Sequence, residues 1–195
     1  MVEVWSHLGT FGKLRPANFK GGNMKQGRVG VPTKSYSLDE MLRKTLRDAI
    51  PSIPSHMAPQ FQMAILRDEL HEINNQVTEE FLKDHDECVF VFGDNLERKG
   101  KGGAAALRHL ENTYGFVTKK APNNEDASFF KVGEYRRVFS LELEKLSKFI
   151  ESNPSKVFLV SKIGSGLANR NSIFEKVIKP QLETALNRFK NVIML

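Results

Sequence analysis

Residues 88–106 read CVFVFGDNLERKGKGGAAA, and this stretch decides how the chain folds. The apolar run from Cys88 to Phe92 is rich in β-branched and aromatic residues, which is typical of a strand covered on both faces. A basic, glycine-rich loop follows at Gly93, and the alanines that begin at Ala104 predict a helix. This order predicts a parallel α/β sheet, in which ligands bind at the carboxyl ends of the strands.

The same pattern recurs near the end of the chain. Residues 156–161, KVFLVS, predict a second buried strand, and a second glycine loop runs from Ile163 to Asn171. A helix is expected from Ser172 to about Phe189, with a kink or restart at Pro180. The other elements expected in this part are helices at 104–110 and 141–150, strands at 115–118 and 191–195, and a loop at 119–137. Residues 86–195 therefore predict an α/β domain with a mixed, largely parallel sheet.

Residues 1–85 differ from this domain in charge and in periodicity. No acidic residue lies between Val4 and Leu38, whereas residues 68–87 hold eight carboxylates. Apolar spacing predicts helices from Leu38 to about residue 50 and from Pro59 to about residue 83. We predict a basic arm followed by a helical extension in residues 1–85, and a separate domain in residues 86–195. The arm either pairs with the acidic helix within the fold or attracts polyanions.

Composition excludes several classes of protein. The chain has 195 residues, 40% of them hydrophobic, and a net charge of +6, which suits a globular protein of one domain with an extension. No apolar run is long enough to span a bilayer, and the N-terminus lacks a signal-peptide pattern. Cys88 is the only cysteine, which removes intramolecular disulfides and cysteine zinc sites. We expect a cytoplasmic protein with no metal and no cofactor.

The two glycine loops are the candidate ligand site. Glycines let backbone N–H groups approach a phosphate, and two such loops from one sheet would clamp a diphosphate. The first loop fits neither the P-loop nor the dinucleotide fingerprint, so the prediction depends on the pairing of the loops. The predicted ligand-binding residues are Gly93, Asn95, Lys99, Lys101, Gly102, Gly103, Gly164, Ser165, Gly166, Leu167 and Asn169.

Other polar side chains carry alternative readings. Asp94 and Asn95, at a strand end, are the candidate catalytic residues; they would orient a ribose hydroxyl or activate a water, whereas Asp94 could equally cap the turn.

Surface positions are expected for Arg108, His109, His71 and His85. Phe129 and Phe130 either anchor their loop or stack on a base. A nucleic-acid surface would use the basic residues Lys13, Arg15, Lys20, Arg28, Arg136 and Arg137.

The run VFVFGDNLERKGKGGAAALRH, with KVFLVSKIGSGLANRNSIFEKVIKPQL, resembles a family of phage-associated proteins with a macrodomain-like fold. The resemblance covers roughly residues 86–195, and Tyr114–Lys119 matches its middle element loosely. It implies a three-layer α/β fold that binds ADP-ribose, with the phosphates held by the two glycine loops. The Asn-Ala-Ala-Asn stretch that macrodomains usually carry before the glycines is absent, which puts hydrolysis in more doubt than binding.

These observations lead to two expected functions. The first is binding of ADP-ribose, or of an ADP-ribosyl or NAD-derived nucleotide, by a phage protein that counteracts host defence in the host cytoplasm. Hydrolytic removal of ADP-ribosyl groups is an open extension of this function. The second is a basic module without catalysis that binds nucleic acid or inhibits a host defence protein by direct contact.

Overall fold

A four-stranded sheet forms the centre of the computed structural model, which describes residues 37–52 and 57–195. Its strands are β1 (Cys88–Asn95), β2 (Thr113–Lys119), β3 (Val157–Val160) and β4 (Val192–Met194), in the spatial order β2-β1-β3-β4. Each neighbouring pair is parallel. The predicted parallel character is confirmed, and no antiparallel strand occurs among the described strands.

Five α-helices accompany the sheet in the described ranges. They are α1 (Leu38–Ala49), α2 (Ala58–Glu72), α3 (Glu79–Asp84), α4 (Val132–Ser152) and α5 (Lys179–Leu186). The alanine-rich segment after the first glycine loop is a 3-10 helix, Gly103–His109, rather than the predicted α-helix. Helix α4 begins within the segment that was predicted as a loop. None of the described helices has the length and apolar character needed to cross a membrane.

Alternate residues of β1 point into two apolar clusters, one on each face of the sheet. Val89 and Val91 join a cluster with α4 and α5, whereas Phe90 and Phe92 join a cluster with α2 and α3. Helices thus cover both faces, which agrees with a three-layer α/β arrangement. Residues Ser37–Leu195 form one compact unit, and the predicted division after residue 85 runs through it.

Side chains complete the outer edge of β2. Val117 donates its N–H to the Glu142 carboxylate, at 3.1 Å, and its carbonyl accepts from the Tyr135 hydroxyl, at 2.9 Å. The carbonyl of Gly115 accepts from Arg98, at 2.6 Å. Backbone groups at a sheet edge otherwise seek water or another strand. Helix α4 and the first glycine loop therefore close this edge.

The second glycine loop leads into a helix that is restarted at a proline, as predicted. Residues Phe174–Ile178 form a π-helical turn, and Pro180 lies in the first turn of α5. Proline has no N–H to donate and its ring collides with a regular turn before it, so a widened turn accommodates the ring. This turn places Ile178 in the core beneath the loop.

Helix α1 is joined to α2 by a buried ionic cluster that sequence reasoning missed. Glu69 accepts from Arg47 at 2.7 Å and faces Nε2 of His85 at 2.8 Å. Nδ1 of His85 lies 2.8 Å from the Phe81 carbonyl, and the imidazole stacks on the Phe81 ring. The prediction of a surface position for His85 is wrong, because only 4% of the residue is exposed.

Protonation of His85 should stabilise the fold. Burial opposes the charged imidazole, but hydrogen bonds to Glu69 and to the Phe81 carbonyl outweigh it, so the pKa of His85 is raised. The contribution is then fully present below the pKa of unfolded histidine, about 6.5, and is lost as pH rises through the folded-state pKa. We expect His85→Asn to lower the free energy of unfolding more at pH 5.5 than at pH 8, measured by urea denaturation.

The matched control for this prediction is His71→Asn, because His71 lies on the exposed side of α2. Its substitution should change stability little and equally at the two pH values. An equal loss of stability at pH 5.5 and pH 8 in His85→Asn would show that the imidazole acts only by packing.

Candidate functional site

The two glycine loops face one another across a single cleft. Parallel pairing of β1 with β3 sets Val91 opposite Val160, so the loops that follow the two strands leave the same edge of the sheet. Between them lies a cavity of about 410 Å³ lined by residues of both loops. A cavity of this size suits a small-molecule ligand.

Most of the predicted ligand-binding residues line this cavity. The residues it brings together are Gly93, Asn95, Lys99, Lys101, Gly102, Gly103, Gly164, Ser165, Gly166 and Leu167. Asn169 is the exception among the predicted residues. Its amide donates to the Glu175 carboxylate and its Oδ1 accepts from the Phe174 N–H, so Asn169 caps the turn that precedes α5.

Gly164 and Gly166 have different roles in the second loop. Gly164 has a φ of +80°, and a Cβ there would lie 2.3 Å from Cδ1 of Ile178. A side chain at this position is therefore excluded both by backbone strain and by the packed π-helical turn. A Cβ on Gly166 would meet nothing within 4 Å, so this glycine borders open space.

The cleft favours an anionic ligand. In the part of the chain that the structure describes, four lysines line it: Lys99, Lys101, Lys119 and Lys162. Among the described residues, the backbone N–H groups of Lys101, Gly102, Gly164, Gly166 and Leu167 form no hydrogen bond, which leaves them available to a ligand. Backbone N–H groups and lysines from two sides are the donors that phosphate oxygens require.

Among the described residues of the lining, Asp94 is the one carboxylate, and two arginines neutralise it. Arg108 approaches both carboxylate oxygens, at 2.9 and 2.5 Å, and Arg98 donates to Oδ2 at 3.1 Å. Oδ1 also accepts from the backbone N–H of Asn95, at 2.7 Å. Burial would raise the pKa of Asp94, but these hydrogen bonds prevail and lower it. The carboxylate is therefore ionised, and both of its oxygens accept hydrogen bonds. It caps the turn, and the two arginines stabilise it there.

Asn95 closes the first loop on itself. Its side-chain amide donates to the Lys99 carbonyl at 2.8 Å and lies 3.3 Å from Oδ1 of Asp94. The Oδ1 atom of Asn95 accepts from the Lys99 N–H at 3.4 Å. These contacts give both Asp94 and Asn95 a scaffolding role, and their catalytic role stays a prediction.

Several residues of the site were not predicted. Thr118, Lys119, Ser161 and Lys162 line the cleft because β2 and β3 end there. The rule that strand ends of a parallel sheet gather at one edge could have found them. The prediction of a surface position for Arg108 is wrong, because its side chain is only 21% exposed and forms an ion pair with Asp94. A contact between residues fourteen positions apart leaves no local signal in the sequence.

The residues considered for nucleic-acid binding lie elsewhere. Arg136 and Arg137 are exposed on α4 and do not line the cleft. The basic residues of the arm lie outside the described residues; they are Lys13, Arg15, Lys20 and Arg28. Phe129 and Phe130 are buried, which confirms the anchoring alternative. Within the described ranges, no three His, Cys, Asp or Glu side chains are placed to hold a metal ion.

Loss of the Asp94 carboxylate should unfold the first loop. Asp94→Asn leaves Arg108 and Arg98 without their counter-ion, and we expect a loss of about 2 kcal/mol in the free energy of unfolding. Urea denaturation measures it. The control is Asp126→Asn, because Asp126 pairs with Arg170 through a side chain that is 85% exposed. Its loss should stay below about 0.5 kcal/mol; equal losses in the two variants would contradict the buried role of Asp94.

A methyl group at Gly164 should destabilise the second loop, whereas one at Gly166 should not. Gly164→Ala forces alanine into a left-handed conformation and against Ile178, at a cost of about 2 kcal/mol. Gly166→Ala meets no atom and should change stability by less than about 0.5 kcal/mol. Thermal and urea unfolding of both variants test the difference, and equal stability of the pair would refute the close packing of Gly164 against Ile178.

Comparison with known proteins gives a family for most of this site. Residues 72–172 match a family described as a family of unknown function (DUF7831). The matched range runs from the end of α2 to the residue after the second glycine loop, and so includes every described residue that lines the cleft. No curated protein and no solved structure matches the chain. Since the match covers just over half of its length, the chain belongs to the DUF7831 family.

Proposed function

We propose that this protein binds a nucleoside diphosphate of the ADP-ribose type in the cleft between the two glycine loops. The observation that carries the proposal is the convergence of these loops, about seventy residues apart in the chain, on one cavity that four lysines line. The diphosphate would lie between the loops and accept from their unpaired N–H groups. The macrodomain-like resemblance of residues 86–195 favours ADP-ribose among such ligands.

The rest of the cavity suits the nucleoside. Pro122, Ala104, Ala105 and Leu167 contribute apolar surface beside the glycines. Leu167 is 68% exposed, and an exposed leucine at the mouth of a polar cleft offers a surface on which a base can pack. A ligand with a charged centre and a flat apolar end would thus use both parts of the lining.

Binding is better supported than hydrolysis. A general base needs an oxygen that is free to accept a proton, and both oxygens of Asp94 already accept from arginine. Asn95 is held by the backbone of its own loop. We therefore propose sequestration of an ADP-ribosyl group or an NAD-derived nucleotide, by a phage-type protein acting against host defence, rather than its cleavage.

Calorimetry with ADP-ribose tests this function. The wild-type protein should bind with a Kd in the micromolar range, which corresponds to about −8 kcal/mol. Gly166→Glu places a carboxylate in the open space of the cleft and should weaken binding at least about tenfold by charge repulsion. The matched control is Gly133→Glu: Gly133 also borders open space, but it lies on α4 outside the cleft. This variant should bind as the wild type does.

Two results would contradict the proposal. Absence of heat with ADP-ribose would exclude this ligand class. Binding of a DNA oligonucleotide with a steep salt dependence, unaffected by Gly166→Glu, would favour the alternative of a basic interaction module.

A further inference from the structure

Lys119 differs from the other lysines of the cleft in its burial. It ends strand β2, and only 7% of the residue is exposed, whereas the side chain of Lys99 is 73% exposed. Its ammonium nitrogen lies 4.3 Å from the centre of the Phe129 ring and donates to Oδ1 of Asn124 at 3.3 Å. These contacts hold the ammonium in place, and Lys119 is one of the residues that line the cavity.

No carboxylate compensates this charge within the described residues. The neighbouring Lys120 pairs with Glu134 at 2.9 Å, but Lys119 has no acidic partner within 4 Å. A second cation, Arg170, lies over the same Phe129 ring with its guanidinium 5.3 Å from the ring centre, and it pairs with Asp126 at 2.7 Å. Burial, and then Arg170, lower the pKa of Lys119.

A buried cation without a counter-ion is costly, and the cost falls when an anion binds beside it. The side-chain Oδ1 of Asn124 and the face of Phe129 are neutral, so they solvate the ammonium only in part. The ammonium has three N–H donors, and Asn124 uses one of them. The side on which Lys119 borders the cavity is where an anion can complete this shell.

We propose that Lys119 is the buried counter-ion of a phosphate group in the cleft and that it makes the site selective for phosphorylated ligands. The assignment rests on the proposed function in that both use the same cavity. It adds a residue that neither the glycine pattern nor the resemblance assigns. The exposed lysines then attract the ligand over a distance, whereas Lys119 determines which chemical group is retained.

Binding of ADP-ribose and of inorganic pyrophosphate to Lys119→Met tests the assignment. Methionine keeps the apolar stem over Phe129 and removes the charge. Both ligands should bind about 10- to 100-fold more weakly, the range for loss of a charge-assisted hydrogen bond. The control is Lys120→Met, which removes the adjacent lysine that Glu134 neutralises; its affinities should equal those of the wild type.

A second variant separates the charge from the fold. Lys119→Gln can still donate to Asn124 and should lose affinity as Lys119→Met does, while urea denaturation reports whether each variant is folded. If ADP-ribose binds the wild type and both folded variants equally, the role of Lys119 is refuted and the proposed function stands.

The pyrophosphate titration can refute the nucleotide function while the assignment of Lys119 stands. If the wild type binds pyrophosphate through Lys119 but does not bind ADP-ribose, the counter-ion assignment stands and the nucleotide function is refuted. If the wild type binds neither compound, both proposals are overturned.

Discussion

Parallel pairing of β1 with both β2 and β3 is the constraint on which the site depends. A central parallel strand brings its own carboxyl end beside the carboxyl ends of its two neighbours. The two glycine loops lie at the carboxyl ends of β1 and β3, and Lys119 is the last residue of β2. Their meeting is therefore a consequence of backbone hydrogen bonding, and side chains only refine the distance between them.

Buried side chains beneath the two glycine loops adjust the distance between them. Asp94 holds the first loop through Arg98 and Arg108, and Ile178 supports the second loop beneath Gly164. Several N–H groups of the loops form no hydrogen bond with another described residue, and most of them belong to exposed residues, so water can satisfy them in the free protein. A ligand would replace that water without requiring the loops to lose hydrogen bonds of their own.

Sequence reasoning recovered the parts of this arrangement that have a local signature. The buried strands, both glycine loops and the restart at Pro180 are each encoded within about ten residues, and all are found in the structure. Apolar periodicity also predicted one helix from Pro59 to about residue 83; this is wrong, because the left-handed backbone at Asn74 and Asn75 separates α2 from α3. Periodicity shows that a helix has an apolar face and not what covers it, so it did not show that α2 would join the sheet core.

Contacts between distant residues were missed. The link from Arg108 to Asp94 and the cluster of Glu69 with His85 connect separate elements, and charged residues in a helix normally suggest solvent. Burial of Lys119 likewise depends on the later segment that carries Asn124 and Phe129. Such pairs become visible only once the topology has brought the elements together.

Arg98 connects the first glycine loop with the β2 edge of the sheet. One of its nitrogens contacts both the Asp94 carboxylate and the Gly115 carbonyl, so the loop conformation and the closed edge of β2 share a single side chain. Opening the loop would expose a carbonyl of the kind that another chain's strand can pair with. The conformation of the first glycine loop is thus coupled to the closure of the β2 edge, and a change at Arg98 would disturb both.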